Sequence, residues 1–403
     1  MDVTIYDPGF HVSYGHHYNA NYFLKGELSR RGLTTRLLVS SKLHGEVAAP
    51  LEAEPILRAD PYAAHGGDAI TAPLESYLGV AINTVNALNG ITGLLCGPRH
   101  LFVMHSVNAG MLFGTSLWVA QHLADALPTI VAQLQTCRDV DERRRKMGIH
   151  GVLWRHAAQR LGMLLGSTVH LIAVPGLGPK LSFAVGRPIA EAPFMTPGSS
   201  VRGSNGRSRF PPKLVFLGHA KMERGFGLTP DIIAACQARR PCGVVVHVAG
   251  ADLRSAEAQL AIQRLRAMAG EGRIEMLEQA LSLEAYYQVL GDADVVVLPY
   301  DALSYQSPSG IMNEAIAVGK PVVVPDSPLY LGQAALFGAA AVGFDAFKCD
   351  PVSEAIGVAL DRLDELTERA GAAAERWWAR HGTARFVDHI LSFRPAAREA
   401  VAS

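Results

Sequence analysis

The chain has 403 residues, a length that suits two domains of about 200 residues each. Its 37 basic residues balance its 37 acidic ones, so no overall field would attract nucleic acid. Every stretch of about 18 residues is interrupted by polar residues. The first residues lack the basic region followed by an apolar region that is typical of a signal peptide. The five scattered cysteines suit a reducing compartment. We therefore expect a cytoplasmic protein with neither a spanning helix nor a signal peptide.

The first 40 residues predict the opening of a parallel α/β fold. They read as a strand at Val3–Tyr6, a helix from Asn19 through Arg30 and a second strand at Thr35–Val39. The loop 7–18 between strand and helix contains Gly15, His16 and His17. Two adjacent histidines supply too few ligands for a metal site, and turn chemistry with surface display is the ordinary interpretation.

Residues 45–95 give no clear assignment, but an apolar strand follows at 101–104 and ends at His105. Ligands of open α/β sheets gather at the carboxyl ends of the strands. His105 is therefore a candidate site residue, and the alternative is a structural histidine that is satisfied inside the fold.

The segment 142–160 is strongly basic and contains Trp154. A solvated helix face is the simpler interpretation. The sharper one is peripheral contact with an anionic membrane surface, to which basic side chains and an interfacial tryptophan both contribute.

A change of composition divides the chain. Residues 195–213 are dominated by Gly, Ser, Pro and Arg and lose the apolar periodicity, which predicts a linker or exposed loop at 196–212. We therefore expect one Rossmann-like domain at 1–195 and a second one at 213–375.

The second half begins with a strand at 214–217 and a turn that contains three basic side chains, His219, Lys221 and Arg224. From the residues alone, this is a turn after a parallel strand that happens to be basic, although the planar guanidinium of Arg224 suits phosphate well.

The most informative stretch is 294–326, which predicts a strand, a loop, a helix and another strand. Pro308 disfavours helix at Ser307, and Ser309 can cap the helix that starts at Gly310. The free amides of such a helix favour anions, so the loop is a candidate phosphate site. Glu314, one turn inside the helix, can accept two hydrogen bonds from a vicinal diol.

This stretch resembles the donor site of the large group of retaining nucleotide-sugar glycosyltransferases with the GT-B fold. Their pattern is a glutamate, seven residues, a second glutamate and then A-x-x-x-G-x-P-V-V, or the shorter SG-x-x-x-E-A. This chain has Gln306 at the first glutamate position, Glu314 at the second, and the pair Ser309–Gly310 of the shorter form. The turn 218–225 is similar to the family's G-R-x-x-x-x-K-G, with a histidine at the arginine position and an arginine at the lysine position.

The resemblance implies an α/β protein of the GT-B class, with two Rossmann-like domains that face a cleft and a final helix, at about 375–395, that packs back on the first domain. It implies catalytic roles for His105, Arg224 and Gln306. It implies donor-binding roles for Gly15, His219, Lys221, Ser307, Ser309, Gly310 and Glu314.

The activity implied is transfer of a sugar from a nucleotide-diphosphate sugar to a glycan or lipid-linked acceptor, with retention of configuration, in polysaccharide or glycolipid biosynthesis. No cofactor and no metal is expected, because the family stabilises the leaving diphosphate with amides and cations. Because Gln306 and His219 depart from the family pattern, an inactive GT-B-like binding or scaffold protein is the alternative, as is a GT-B sugar epimerase or phosphorylase.

Overall fold

Strands and helices alternate along the chain, as the sequence predicts. The computed structural model describes residues 2–12, 15–58, 61, 71–95, 97–196, 210–250 and 255–395. It divides into two compact units, Met1–Thr196 with His381–Ser403, and Pro197–Arg380. Most of the expected linker 196–212 lies outside the described residues. In the described part, no helix is both long enough and apolar enough to cross a bilayer.

The first unit is built on a seven-stranded sheet in the order β3-β2-β1-β4-β5-β8-β9, whose paired strands are parallel. Its elements are β1 (Asp2–Asp7), α1 (Gly15–Arg30), β2 (Thr34–Ser40), α2 (Gly45–Ala48), β3 (Ala53–Leu57), α3 (Thr71–Ile91), β4 (Leu101–Val107), α4 (Ala109–Val119), β5 (Thr129–Leu134), the hairpin β6 (Val140–Asp141) and β7 (Lys146–Met147), α5 (Ile149–Leu161), β8 (Val169–Ala173), α6 (Gly178–Val185) and β9 (Ala190–Glu191). Every residue of β5 is buried, which shows that both faces of the sheet are covered.

Two glycines explain how α3 and α4 pack. A Cβ at Gly110 would lie 2.9 Å from the carbonyl oxygen of Tyr77, and one at Gly114 would lie 2.5 Å from that of Ala81. Only residues without a side chain allow the backbones to approach this closely. The long apolar helix α3 is thereby held flat against α4.

The second unit has a six-stranded sheet in the order β12-β11-β10-β13-β14-β15, also parallel. Its elements are β10 (Lys213–Phe216), α7 (Thr229–Arg239), β11 (Gly243–His247), α8 (Ala256–Gly270), β12 (Glu275–Leu277), α9 (Leu283–Asp292), β13 (Val295–Val297), α10 (Gly310–Ala317), β14 (Val322–Pro325), α11 (Gln333–Leu336), β15 (Ala341–Phe344), α12 (Cys349–Asp361) and α13 (Leu363–Trp378). The predicted strand–loop–helix–strand unit in 294–326 is confirmed as β13, α10 and β14.

The C-terminal helices differ from the expectation. An isolated glycine in a helical pattern favours a break at Gly371, but α12 ends at Asp361 and Gly371 lies inside α13. Acidic side chains in the first turn, Asp364 and Glu365, favour the helix start that the structure has.

The segment 375–395 is likewise not one helix. It contains the end of α13 and a separate helix, α14 (Thr383–Leu391), with Gly382 at a φ of 104° between them. Helix α14 belongs to the first unit, where its Phe386 is fully buried and its Asp388 pairs with Arg31 at 2.5 Å.

In both sheets the strand order reverses next to a central strand, between β1 and β4 in the first unit and between β10 and β13 in the second. The loops that follow such a pair of strands leave the sheet on opposite sides and open a crevice between them, where open α/β proteins bind ligands. The candidate residues of the sequence lie at these two points.

Candidate functional site

In the second unit, the loop after β13 ends in a well-formed helix start. The hydroxyl of Ser309 accepts a hydrogen bond from the amide of Met312 at 3.1 Å, which confirms the predicted cap of α10. Ser309 is buried, and Gly310, the first helical residue, is exposed. The amide end of α10 is therefore available to an anion, whereas the Ser309 hydroxyl is used by the helix itself.

The buried side chain of Tyr330 is hydrogen-bonded to the main chain of the loop that follows β13. Its hydroxyl lies 2.7 Å from the carbonyl oxygen of Tyr305 and 3.1 Å from that of Ser307, and can donate to both. The side chain of Gln306 turns back on the loop and donates to the carbonyl oxygen of Leu303 at 3.1 Å. The path of the loop is thus fixed by hydrogen bonds within the protein.

Glu314 is partly buried in the middle of α10 and faces two tyrosines of α9. The hydroxyl of Tyr286 donates to Oε2 at 2.5 Å, and that of Tyr287 donates to Oε1 at 3.3 Å. Burial raises the pKa of Glu314 to about 7, against these two hydrogen bonds, which lower it. A carboxylate has about four acceptor positions, so two remain for a ligand.

Arg224 lies in the crevice between the loops after β10 and β13. Its Nη2 donates to the hydroxyl of Tyr305 at 2.7 Å, and its Cζ lies 4.7 Å from the centre of the Tyr305 ring. A Cβ on Gly218 would lie 2.5 Å from Cδ1 of Ile311 and 3.4 Å from Nη1 of Arg224. Gly218 therefore allows the first turn of α10 and the guanidinium to lie side by side.

The two other basic residues of this turn behave differently from Arg224. The ring of His219 lies close to the backbone of Gly250, and burial, followed by the charges of Arg224 and Lys221, lowers its pKa below the usual value. At pH 7 this ring is neutral, so it can form hydrogen bonds but contributes no charge. Lys221 is exposed at the edge of the turn.

The first unit has a second polar cluster, centred on buried Asp7 at the end of β1. Asp7 accepts hydrogen bonds from the amide of Gly9 at 3.1 Å, from Nδ2 of Asn21 at 2.6 Å and from Nδ1 of His17 at 2.9 Å. Nε2 of His105 lies 3.2 Å from the same carboxylate. Burial raises the pKa of Asp7, but His17 and His105 outweigh it and hold the pKa well below its usual range.

His105 lies within β4 and its side chain has no exposed surface. Its Nε2 is 3.0 Å from Oδ1 of Asn21, and its Nδ1 is 3.1 Å from the hydroxyl of Ser106. Because both neighbours of Nε2 are acceptors, this nitrogen carries a proton. In this structure the ring supports Asp7 and has no surface for a ligand.

The loop predicted at 7–18 is shorter than expected, because α1 already begins at Gly15. Gly15 has a φ of 81°, a conformation that strongly favours glycine. His16 is exposed, whereas His17 is buried and packs at 4.0 Å, centre to centre, on the His16 ring. Sequence reasoning missed Asp7, whose position at the carboxyl end of the first strand is the signal that could have found it.

The basic segment 142–160 also differs from the expectation in one respect. Trp154 is buried and donates to the carbonyl oxygen of Thr136 at 3.0 Å, so it cannot serve as an interfacial anchor. Arg143, Arg144 and Lys146 are exposed in the β6–β7 hairpin. Among the described residues no group of three His, Cys, Asp or Glu side chains could hold a metal ion.

Comparison with known proteins identifies the fold. No family model and no curated protein matches the sequence. A UDP-forming trehalose-phosphate synthase from Burkholderia xenovorans has a TM-score of 0.66 at 12% identity, with 99% of each chain covered. A trehalose-6-phosphate protein from E. coli, bound with UDP-2-fluoro glucose, gives 0.65 at 11% identity over 98% of this chain and 99% of that one. HepE of Anabaena, in complex with UDP, gives 0.63 at 13% identity over 97% and 99%. The protein has the GT-B fold.

Proposed function

We propose that the protein is a glycosyltransferase that moves a sugar from a nucleotide-diphosphate sugar to a glycan or lipid-linked acceptor. The observation that carries this proposal is the arrangement in the second unit, where the open amide end of α10, the guanidinium of Arg224 and the carboxylate of Glu314 lie around one crevice of the sheet. These are the groups that a diphosphate and a ribose diol require.

Each group has a definite part in this proposal. The amides at Ser309 and Gly310 and the guanidinium of Arg224 bind the diphosphate and stabilise the charge that grows on it as the sugar departs. Glu314 accepts from the two ribose hydroxyls. Gln306 contacts sugar hydroxyls, which requires its amide to leave the carbonyl oxygen of Leu303.

The remaining residues of the crevice and of the first unit complete the proposal. His219 contributes a neutral hydrogen bond, exposed Lys221 adds charge near the phosphates, and the Ser307 amide joins those of the helix start. Gly15 allows a ligand to approach the start of α1. His105 acts through Asp7, since its ring is fully buried.

UDP is the nucleotide we propose to test first. HepE of Anabaena has been solved with UDP-glucose, and its structure matches this chain at a TM-score of 0.59, with 12% identity over 97% of this chain and 98% of that one. This likeness supports a uridine nucleotide, and the first experiment compares UDP with GDP and ADP by isothermal titration calorimetry. Binding of one nucleotide diphosphate supports the transferase, and binding of none supports a scaffold protein.

The decisive variant is Glu314→Ala, with Glu354→Ala as its matched control. Both residues are helical glutamates of the second unit, and Glu354 is exposed on α12. Loss of a charged hydrogen-bond acceptor predicts that Glu314→Ala weakens nucleotide binding by about 2 kcal/mol. Glu354→Ala leaves the affinity unchanged. Equal affinities of the two variants would contradict the assignment of Glu314.

We further propose that transfer retains the anomeric configuration, with the leaving diphosphate accepting the proton of the acceptor hydroxyl. The competing mechanism has a specific observation in its favour. Asp7 accepts from Nδ1 of His17, so Nε2 is the basic nitrogen of that ring, as in a base oriented by a carboxylate. Proton NMR of the early product, read from the anomeric coupling constant, separates the two. A retained anomer supports the diphosphate, and an inverted anomer would assign the base to His17.

The cellular setting of this proposal is polysaccharide or glycolipid biosynthesis in the cytoplasm. The exposed basic hairpin, with Arg143, Arg144 and Lys146, would contact anionic headgroups at the inner face of the membrane. Sedimentation with phosphatidylglycerol vesicles at low and high salt tests this contact. Binding that disappears in the triple alanine variant supports it, and binding that survives in that variant contradicts it.

A further inference from the structure

The two tyrosines of α9 are placed by the fold to act on one carboxylate. Ser282 caps α9 through the amide of Ala285, which sets the first turn and thereby the positions of Tyr286 and Tyr287. The two rings meet edge to face with their centres 5.3 Å apart, and Tyr287 is buried. Both hydroxyls reach Glu314, which is 27 and 28 residues farther along the chain.

The two hydrogen bonds occupy different oxygens of Glu314. A carboxylate held at both oxygens by donors on one helix is restricted to one orientation, and each oxygen keeps an acceptor position for a ligand. A vicinal diol has two hydroxyl donors, one for each of these oxygens. The tyrosines thus leave Glu314 in the state that a ribose requires.

We propose that Tyr286 and Tyr287 are positioning residues for nucleotide binding, which fix the orientation of the Glu314 carboxylate by donating one hydrogen bond to each of its oxygens. The inference rests on the proposed function, because it concerns the same site. It adds that α9, which contributes no residue to the family motif, sets the pH range in which the protein binds its nucleotide.

The charge of Glu314 depends on a balance of opposing effects. Burial favours its neutral form, and hydrogen bonds donated by tyrosines favour its ionised form. The titratable groups that act on it are Tyr286 and Tyr287 of α9. The charge of Glu314 in turn helps to raise the pKa of Tyr300, in the loop after β13. Since its pKa is about 7, a small loss on the hydrogen-bonding side moves the titration across the neutral range.

The first test needs no nucleotide. Infrared difference spectroscopy of the ligand-free protein follows the protonated carboxyl band that Glu314→Gln removes, as a function of pH. Tyr286→Phe deletes the shorter hydrogen bond and moves the midpoint upward by about one pH unit. Tyr287→Phe deletes the longer one and gives a smaller upward shift, so either variant suffices if the other fails to fold. Tyr77→Phe, which deletes a tyrosine hydroxyl bonded to His156 in the first unit, leaves the midpoint in place.

The second test is the affinity for UDP between pH 5.5 and 8.5 by isothermal titration calorimetry. The wild type binds about tenfold more weakly at the acid end, because a protonated Glu314 loses one charge-assisted acceptor. The second ionisation of the UDP phosphate, near pH 6, affects the pH profile of every variant in the same way. The profile of Glu314→Gln, which lacks the carboxyl group, measures this contribution by itself. The profile of Tyr286→Phe is displaced to higher pH by the same amount as its infrared midpoint.

Three results would overturn the inference, and they differ in what they leave standing. If the infrared midpoint moves in neither tyrosine variant, the positioning role of the tyrosines is refuted and the proposed function stands. A midpoint that moves while the UDP profile stays also removes the inference, because Glu314 is then not the group that binding senses. A wild type that binds no nucleotide at any pH removes the proposed function and this inference with it.

Discussion

Replacing Glu314 by glutamine is expected to stabilise the protein above pH 7 and to do much less at pH 5. A carboxyl whose pKa rises from 4.5 to about 7 on folding makes the ionised protein less stable by about 3 kcal/mol, at 1.36 kcal/mol for each pKa unit. The folded state holds the extra proton between pH 4.5 and 7, so stability is highest below this window and falls as pH rises through it. At pH 5 only about 1 kcal/mol of the difference remains.

Thermal unfolding of wild type and Glu314→Gln at pH 5 and pH 8 measures this difference. For a unit of this size, each kcal/mol raises the midpoint by about 2–4 °C, so we expect a gain of roughly 5–10 °C at pH 8 and a small gain at pH 5. Glu354→Gln, at an exposed helical position, serves as the control and should change neither midpoint. An equal effect of Glu314→Gln at both pH values would refute the reasoning, because the stabilisation would then not arise from ionisation.

Three further outcomes are expected. Arg224→Ala weakens UDP binding by roughly 10- to 100-fold in calorimetry, because a charged hydrogen-bond donor is lost. The affinity of Arg224→Lys is intermediate, since lysine lacks the planar guanidinium. Equal affinities of wild type and both variants would refute the phosphate contact. The ratio of UDP affinities between wild type and His219→Gln stays constant from about pH 7.5 to 8.5, since a pKa below its usual value favours the neutral ring there, and a ratio that declines with pH would restore a cationic role. Gly225→Ala costs about 3 kcal/mol of stability, because Gly225 has a φ of 79° and a Cβ there would lie 2.1 Å from the carbonyl oxygen of Pro299. The control is Gly270→Ala, because a Cβ at Gly270 would meet open space. Equal thermal midpoints of the two variants would contradict this prediction.

The sequence was most informative where its signals are local. Ser309 as a helix cap and Gly319 after the helix are short-range features, because each depends on backbone groups a few residues away. The Ser309 cap forms as expected, and Gly319 has a φ of 74°, a conformation that favours glycine. The apolar strands on either side needed only their own composition to be recognised.

The partners of the site residues could not be predicted in the same way. Glu314 was a reasonable ribose ligand from its position on the helix, but its contact with Tyr286 depends on how α9 packs. Likewise, Asp7 and His105 meet only because β1 and β4 are neighbours at the point where the strand order reverses. Such contacts follow from the topology of the sheet, which periodicity does not contain.

Helix α3 was missed for a different reason. Its buried positions have the spacing of a helix, but Pro73, Gly79 and the asparagines Asn83, Asn86 and Asn89 lower its intrinsic propensity. Its stability comes from the close approach to α4 that Gly110 and Gly114 permit. A helix held by its neighbour leaves little signal in its own sequence.

The way in which Tyr330 holds the loop after β13 has an evolutionary consequence. Its hydroxyl bonds to main-chain oxygens of residues 305 and 307, which every amino acid possesses. Exchange of the side chain at 307 therefore keeps both of these bonds, and exchange of Gln306 keeps them while it removes the side-chain hydrogen bond to the carbonyl oxygen of Leu303. Variation at these two positions can in this way change the polar groups that the loop presents while the main-chain contacts of Tyr330 stay intact, and a library of variants offers the same freedom to an engineer.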